Sequence, residues 1–300
     1  MAIVELHLPI ESPNNQQSSV VQLLAHHCEL SNADIKQAVS KGALWLERTG
    51  RVKRLRRMKP VLRAQDTLHF YYNSDVLAQT VTPAVLIEDF KEYSLWYKPY
   101  GVLSQGSKWS DHCTIHRFVE QYFDHQRSCF IVHRLDRAAS GLIIIAHSKN
   151  ATRAFGKLFE QHDLLKRYSI AVFGNARALD SLIVTQEIDN KPAKSTLSFV
   201  EYDAQLDSSL VCVDIDTGRK HQIRKHAAFA GFPVIGDRLH GIEAQTSEHQ
   251  AISPLHRQLQ YQNNLQLCAV ELAFICPITG IPRHIKLPAA HSISLAKISS

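Results

Sequence analysis

Ile131-Val132-His133-Arg134-Leu135-Asp136-Arg137-Ala138-Ala139-Ser140-Gly141-Leu142 sets a charged loop directly before the most apolar run of the chain, Leu142-Ile143-Ile144-Ile145-Ala146. That run predicts a buried strand opening at Gly141. Asp136 stands between two arginines and ahead of this buried segment. Its basic neighbours hold such a carboxylate ionised while the core beside it partly excludes water. The setting suits a reactive carboxylate, and it equally suits an Asp–Arg pair that closes a turn.

Two other segments share this mixture of charge and burial. Asp216-Thr217-Gly218-Arg219-Lys220-His221-Gln222-Ile223-Arg224-Lys225-His226 turns at Gly218 into a helix whose Ile223, Ala227 and Ala230 can face a core. Arg219 and Arg224 cannot both lie on that apolar side, so a plain surface helix and a helix serving a site both remain open. Gly231-Phe232-Pro233-Val234-Ile235-Gly236-Asp237 follows it. Lys166-Arg167-Tyr168-Ser169-Ile170-Ala171-Val172-Phe173-Gly174 reads as a strand, with Tyr168 either a core aromatic or a ligand-facing one. Around these, strands are predicted at Val85–Glu88, Ser94–Tyr97, Gly141–Ala146, Tyr168–Phe173, Ser195–Glu201, Leu210–Asp214 and Leu267–Phe274. Helices are predicted at Thr114–Phe123 and at Asn150–Gln161, the latter with Asn150 as its cap. Strands without regular crossover helices make this an α+β pattern with a mixed, mainly antiparallel central sheet flanked by helices.

Upstream lies a different kind of sequence. Residues 1–16, ending in ESPNNQQ, read as a flexible polar leader. Val20, Leu23 and Leu24 then fall on one helical face, and Ser31 reads as the N-cap of a second helix with Ile35, Ala38 and Val39 apolar. Gly42 is placed to stop it. A strand at Ala43–Glu47 and another at Asp66–Tyr72 bracket a basic strip, RTGRVKRLRRMKPVLR, with eight basic residues and no acid between Arg48 and Arg63. Most charge runs are solvated loops. In a chain that is otherwise near balance, a strip of this density is also the footprint of phosphate contacts, and Arg48, Arg51, Lys53, Arg54, Arg56 and Arg57 are its candidates. Residues 17–73 resemble the S4-type RNA-binding domain, a small α/β unit, without the Arg-Leu-Asp that commonly opens it. A polar, Pro-containing linker at 74–84 separates it from a larger domain at 85–295.

Composition narrows the classes. Of 300 residues, 45% are hydrophobic and 21% charged, an ordinary globular balance that excludes a largely disordered or collagen-like chain. The net charge of +6 points mildly to an anionic partner. No apolar run approaches the length of a membrane span, and the first residues carry an acid early and no basic region of a secretory signal. Six scattered cysteines with no Cys-x-x-Cys pair suit a reducing cytoplasm and give no support to a disulfide framework or zinc site. Seventeen histidines show no metal-ligand spacing and no glycine-rich nucleotide loop is present, so no metal and no cofactor are expected.

The three charged segments stand in a fixed order with YKPYGVLSQ, KPAKSTLSF and VELAFICPITG. In that order and spacing, over roughly residues 85–290, the chain resembles an RNA pseudouridine synthase of the RluA family, many of whose members carry an S4-like domain in front. The resemblance implies the pseudouridine synthase fold and an isomerase that converts uridine in RNA to pseudouridine, without metal, cofactor or membrane. It implies that Asp136 is the catalytic aspartate and that Arg134 fills the space left by the flipped base. It also implies that Tyr168 stacks on the uracil, with a hydroxyl that can help remove the C5 proton, and that Arg224 pairs with the catalytic carboxylate. Lys166 belongs to the tyrosine block as a candidate RNA contact. Ala139, Lys220, Tyr97 and His240 depart from the family pattern and bear on positioning and target choice. Large-subunit ribosomal RNA is the expected target and tRNA the alternative. Oligomeric state is not legible, and a monomer would suffice. A non-catalytic S4-type RNA-binding protein would lack Asp136, Tyr168 or Arg224, and all three are here. A hydrolase using the histidines would need a nucleophile elbow or ordered triad that is absent.

Overall fold

The computed structural model describes residues 2–11, 19–244 and 252–298. The chain divides into two compact units, Met1–Val81 with Gln105–Phe118, and Thr82–Ser104 with Val119–Ser300.

The first unit is built on β1 (Ile3–Pro9), β2 (Leu44–Arg48), β3 (Arg51–Arg54) and β4 (Thr67–Asn73), ordered β1-β4-β2-β3 and antiparallel throughout. α1 (Val20–Ala25) and α2 (Asn32–Ser40) bury Val20, Leu24, Ile35 and Val39 against Leu44, Leu68 and Phe70 of the strands. Ser31 caps α2 by accepting from Asp34 N–H at 3.1 Å, and Gly42 follows its end at φ +88°. β2 and β3 join through Thr49 and Gly50, both at positive φ, the mirror-image turn that matches strand twist. α3 (Ser74–Ala78) is capped by Asn73.

Three sequence expectations change here. The leader is not loose over Ile3–Pro9, because Val4, Leu6 and Leu8 alternate with polar residues and this period-2 pattern pairs in register with β4. The rest of the leader from Ser12 lies outside the described residues. The basic strip is a hairpin arm over Arg51–Arg54 rather than all loop. The linker opens with a helical turn, and residues 105–118, expected in the larger domain, pack with the first 81 residues.

The second unit carries a sheet of ten strands. These are β5 (Val85–Asp89), β6 (Tyr93–Lys98), β7 (Phe130–Ile131), β8 (Ser140–Ala146), β9 (Leu164–Phe173), β10 (Leu182–Val184), β11 (Ser195–Asp203), β12 (Ser208–Ile215), β13 (Leu267–Ile275) and β14 (Pro282–Lys286). Its path is β10-β11-β12-β9-β13-β8-β6-β5, with β14 on β13 and β7 on β8. Among the described pairings only β8 with β13 is parallel, so the sheet is mixed and mainly antiparallel as expected. α4 (Ile115–Tyr122) is divided between the two units. α5 (Lys149–Gln161) buries Ala151, Phe155 and Leu158 and is capped by Ser148 rather than Asn150; the Ser148 hydroxyl accepts from Ala151 N–H at 3.1 Å. The shorter side chain two residues earlier reaches the free amide, which leaves Asn150 exposed inside the first turn. α6 (Gln222–Phe229), α7 (Pro254–Gln262) and α8 (Leu295–Ile298) complete the unit. No helix among the described residues is long and apolar enough to cross a membrane.

Candidate active site

The register of three central strands assembles the site. Ala269 of β13 pairs with Gly141 at the start of β8 on one side and with Tyr168 of β9 on the other. Gly141 stands at φ +116°, and a Cβ there would lie 2.3 Å from the Ala269 backbone N and O. Only glycine lets the two backbones approach this closely. The loop that precedes Gly141 therefore ends two strand spacings, about 10 Å, from Tyr168.

That loop is held by its main chain. The Ser104 hydroxyl donates to Leu135 C=O at 2.7 Å and accepts from Leu135 N–H at 3.1 Å. Gly101 N–H donates to Arg137 C=O. Lys98, fully buried, sends its ammonium to the carbonyls of Ala139 at 2.6 Å, Val102 at 2.8 Å and Pro99 at 3.2 Å. Burial pushes Lys98 down to about 7, against the pull of the Asp136 charge. Its three acceptors match the three N–H bonds of the charged form. His133 stacks on Phe159 and accepts from Ile144 N–H at 2.9 Å; burial, aided by Lys166, pushes its ring down to about 3, so it is neutral. With both ends tied, Asp136 is presented to a pocket lined also by Arg134, Tyr168, His221 and Arg224.

Arg224 enters from α6 and is 5% exposed. Its close, two-pronged partner is Asp237, reached by Nε at 2.7 Å and by Nη2. The remaining Nη1 faces Asp136 Oδ2 at 3.6 Å. Asp237 is 1% exposed and also accepts from Leu239 and His240 N–H at 2.9 and 3.0 Å. Burial alone would raise the Asp237 carboxyl, but Arg224 and the two amides outweigh it and hold the group below the usual range. Arg224 is thus a fixed cation whose charge Asp237 and Asp136 divide.

Tyr168 is buried on β9. Burial first, and the nearby Asp136 charge second, raise its phenol well above the ordinary value, so the ring offers a face and a protonated hydroxyl. His221, left-handed at φ 57° ahead of α6, hydrogen-bonds through Nδ1 to His240 Nε2 at 2.9 Å.

The structure brings Asp136, Tyr168, Arg224 and the exposed Arg134 to one pocket. Lys166 lies one step along the same face of β9 but is 7% exposed, a poor position for an RNA contact. The basic strip separates into two groups. Arg48 grips buried Asp66 through Nε at 2.8 Å and Nη2 at 2.7 Å; Arg54 reaches Asp111 at 3.2 Å and lies over Trp45; Arg56 also pairs with Asp111. These three pair with carboxylates outside the strip. Arg51, Lys53 and Arg57 are exposed. Sequence reasoning passed over Lys98, Ser104, Asp237 and the His221–His240 pair. Asp237 stood in a quoted block, but nothing local tied it to Arg224. Among the described residues no group of three or more His, Cys, Asp or Glu side chains is placed to hold a metal ion.

Residues 92–229 match the family described as RNA pseudouridylate synthase. The chain is 29% identical over 180 residues to the dual-specificity RNA pseudouridine synthase RluA of Escherichia coli K12, covering 54% of this chain and 78% of that one. It is 33% identical over 135 residues to tRNA pseudouridine synthase C of Yersinia pestis, covering 37% of this chain and 52% of that one. Among solved structures, human RNA pseudouridylate synthase domain containing 4 shares the fold with a TM-score of 0.57 at 19% identity, over 72% of this chain and 93% of that one. The matched segment is a little under half of the chain and carries β6 through α6, and with them Asp136, Tyr168 and Arg224; over it the chain is similar to the RNA pseudouridine synthases.

Proposed function

We propose that the enzyme isomerises specific uridines in structured RNA, with Asp136 as the reacting carboxylate. The observation that carries this is the convergence of Asp136, Tyr168 and Arg224 on one pocket, with Arg134 at its exposed wall. A stacked uridine cannot be reached in place, so it is extruded into the pocket, and Arg134 occupies the space it leaves. Tyr168 receives the base on its ring, worth about 1–3 kcal/mol. Asp136 then acts on the ribose or the uracil, or takes a proton at C2′, with Arg224 Nη1 facing it at 3.6 Å. The N1–C1′ bond breaks, the uracil turns, and C5 bonds to C1′. The C5 proton leaves and N1 gains one, so no redox partner is consumed.

The first unit acts as an S4-type RNA-binding domain in this reading, gripping phosphates through Arg51, Lys53 and Arg57 and adding affinity rather than chemistry. Large-subunit ribosomal RNA is the first target. A tRNA is the second, supported by the relative named for tRNA and by the RluA relatives named dual-specificity. The scattered cysteines favour work in the cytoplasm. Pseudouridine mapping of total RNA from cells lacking the gene identifies the position. Restoring the parent chain should return it, and Asp136→Asn, which keeps size and removes charge, should not while still binding RNA. An active Asp136→Asn enzyme overturns the assignment.

A further inference from the structure

The reaction requires an acceptor for the C5 proton. Six titratable side chains line the pocket: Arg134, Arg219, Arg224, Tyr168, Asp136 and His221. The arginines have no lone pair to offer. Tyr168 is held protonated by burial and by Asp136. Asp136 has its own part in the earlier steps, and its carboxylate faces Arg224 Nη1 at 3.6 Å. His221 remains, and behind it stands a second imidazole at hydrogen-bond distance, with ring centroids 5.1 Å apart.

We infer that His221 takes the C5 proton and passes charge outward through His240. This rests on the pseudouridine synthase reading. The C5–H bond breaks after C5 has joined C1′; its electron pair restores the C5=C6 double bond, and the proton goes to His221 Nε2. With His221 Nδ1 donating and His240 Nε2 accepting, the Nε2 lone pair is free. Protonation there lets Nδ1 release its own hydrogen to His240 and from there to water.

The surroundings suit a neutral base. Burial first, then Arg224, lowers His221 below the usual histidine value; His240 and Lys220 act in the same direction and Asp136 opposes. Burial also lowers His240; Asp237 and Asp136 oppose this, and Arg224 and Lys225 act in the same direction as burial. The Asp237 carboxylate holds the His240 main chain, His221 is left-handed, and the Nδ1–Nε2 bond joins the two rings.

The test uses RNA from cells lacking the gene, labelled with tritium at uridine C5, under single turnover at saturating enzyme. The parent should release tritium as pseudouridine forms. His221→Ala should bind RNA comparably and release tritium about 10²-fold more slowly, with a rearranged base accumulating that still carries tritium, and free imidazole should restore part of the rate. His240→Phe, which keeps a ring and loses the acceptor, should slow release by less than His221→Ala does. Release from His221→Ala at the parent rate overturns the inference. So does a loss recovered by raising enzyme concentration, which would make His221 a binding group. Accumulation of the same labelled base in Tyr168→Phe, with His221→Ala releasing normally, would give the proton to the phenol instead. A parent that releases no tritium overturns the pseudouridine synthase reading beneath.

Discussion

Asp237→Asn tests the anchor under the candidate site. Arg224 and Asp237 are 5% and 1% exposed and bonded through two nitrogens and two oxygens. Removing one charge of a buried pair costs about 3–5 kcal/mol, because the other is left uncompensated. Asn keeps an oxygen for the Leu239 and His240 amides, and Asp136 still faces Arg224 at 3.6 Å, so the expected loss is at the low end, about 3 kcal/mol. At roughly 2–4 °C per kcal/mol for a domain of this size, Tm falls by about 10 °C. The pH dependence gives a second reading. The folded Asp237 pKa is depressed, so its stabilisation is complete above the unfolded value of about 3.9 and disappears as pH falls through the folded value. The gap between parent and variant in urea denaturation should be open at pH 7 and narrow below about pH 4. Turnover should fall more than RNA affinity, since Arg224 freed of Asp237 closes on Asp136. A variant as stable as the parent at pH 7, or a gap unchanged at low pH, refutes the reasoning.

Gly141→Ala should destabilise by several kcal/mol, read as a lower urea midpoint at unchanged slope, because its Cβ meets Ala269 backbone at 2.3 Å in a left-handed residue. Replacing Arg51, Lys53 and Arg57 by Ala should weaken RNA binding and flatten its salt dependence by up to about 0.7–0.9 per lost phosphate contact. Arg48→Ala should instead lower Tm through Asp66, and binding isotherms across a salt series separate the two cases. Tyr168→Phe should bind RNA nearly as well as the parent, whereas Tyr168→Leu should lose about 1–3 kcal/mol of binding; a Leu variant that binds normally but melts early makes Tyr168 a core residue only.

Seven of the ten strands of the larger unit were legible as short apolar runs, as in Gly141–Ala146 and Tyr168–Phe173, whereas the short β7, β10 and β14 were not. Nor were the strands' partners. The parallel step between β8 and β13 joins residues 128 positions apart, Ser140 and Cys268, and no local pattern encodes it. In the first unit the acids that neutralise the basic strip lie outside it. Asp66 is 18 positions from Arg48 and Asp111 is 55 from Arg56, so a window over Arg48–Arg63 necessarily shows cations alone. The strand at Ile3–Pro9 is weak for a related reason, since only one of its faces is covered and the polar ESPNNQQ follows it.

The same division runs through the candidate site. Asp136, Tyr168 and Arg224 announce themselves as polar side chains set against apolar runs. Lys98 looks like a turn residue in Tyr97-Lys98-Pro99-Tyr100-Gly101, yet its ammonium is fully buried on three carbonyls, one of them in the Asp136 loop. A buried ammonium with matched acceptors holds its loop, whereas one without them would neutralise or expose itself. The loop that carries Asp136 is therefore positioned by a cation that never meets solvent. Asp237 does for Arg224 what those carbonyls do for Lys98, supplying the counterpart that makes burial of a charge tolerable. Both supports are tertiary, and each becomes visible only once the backbone has brought residues from separate strands and loops together.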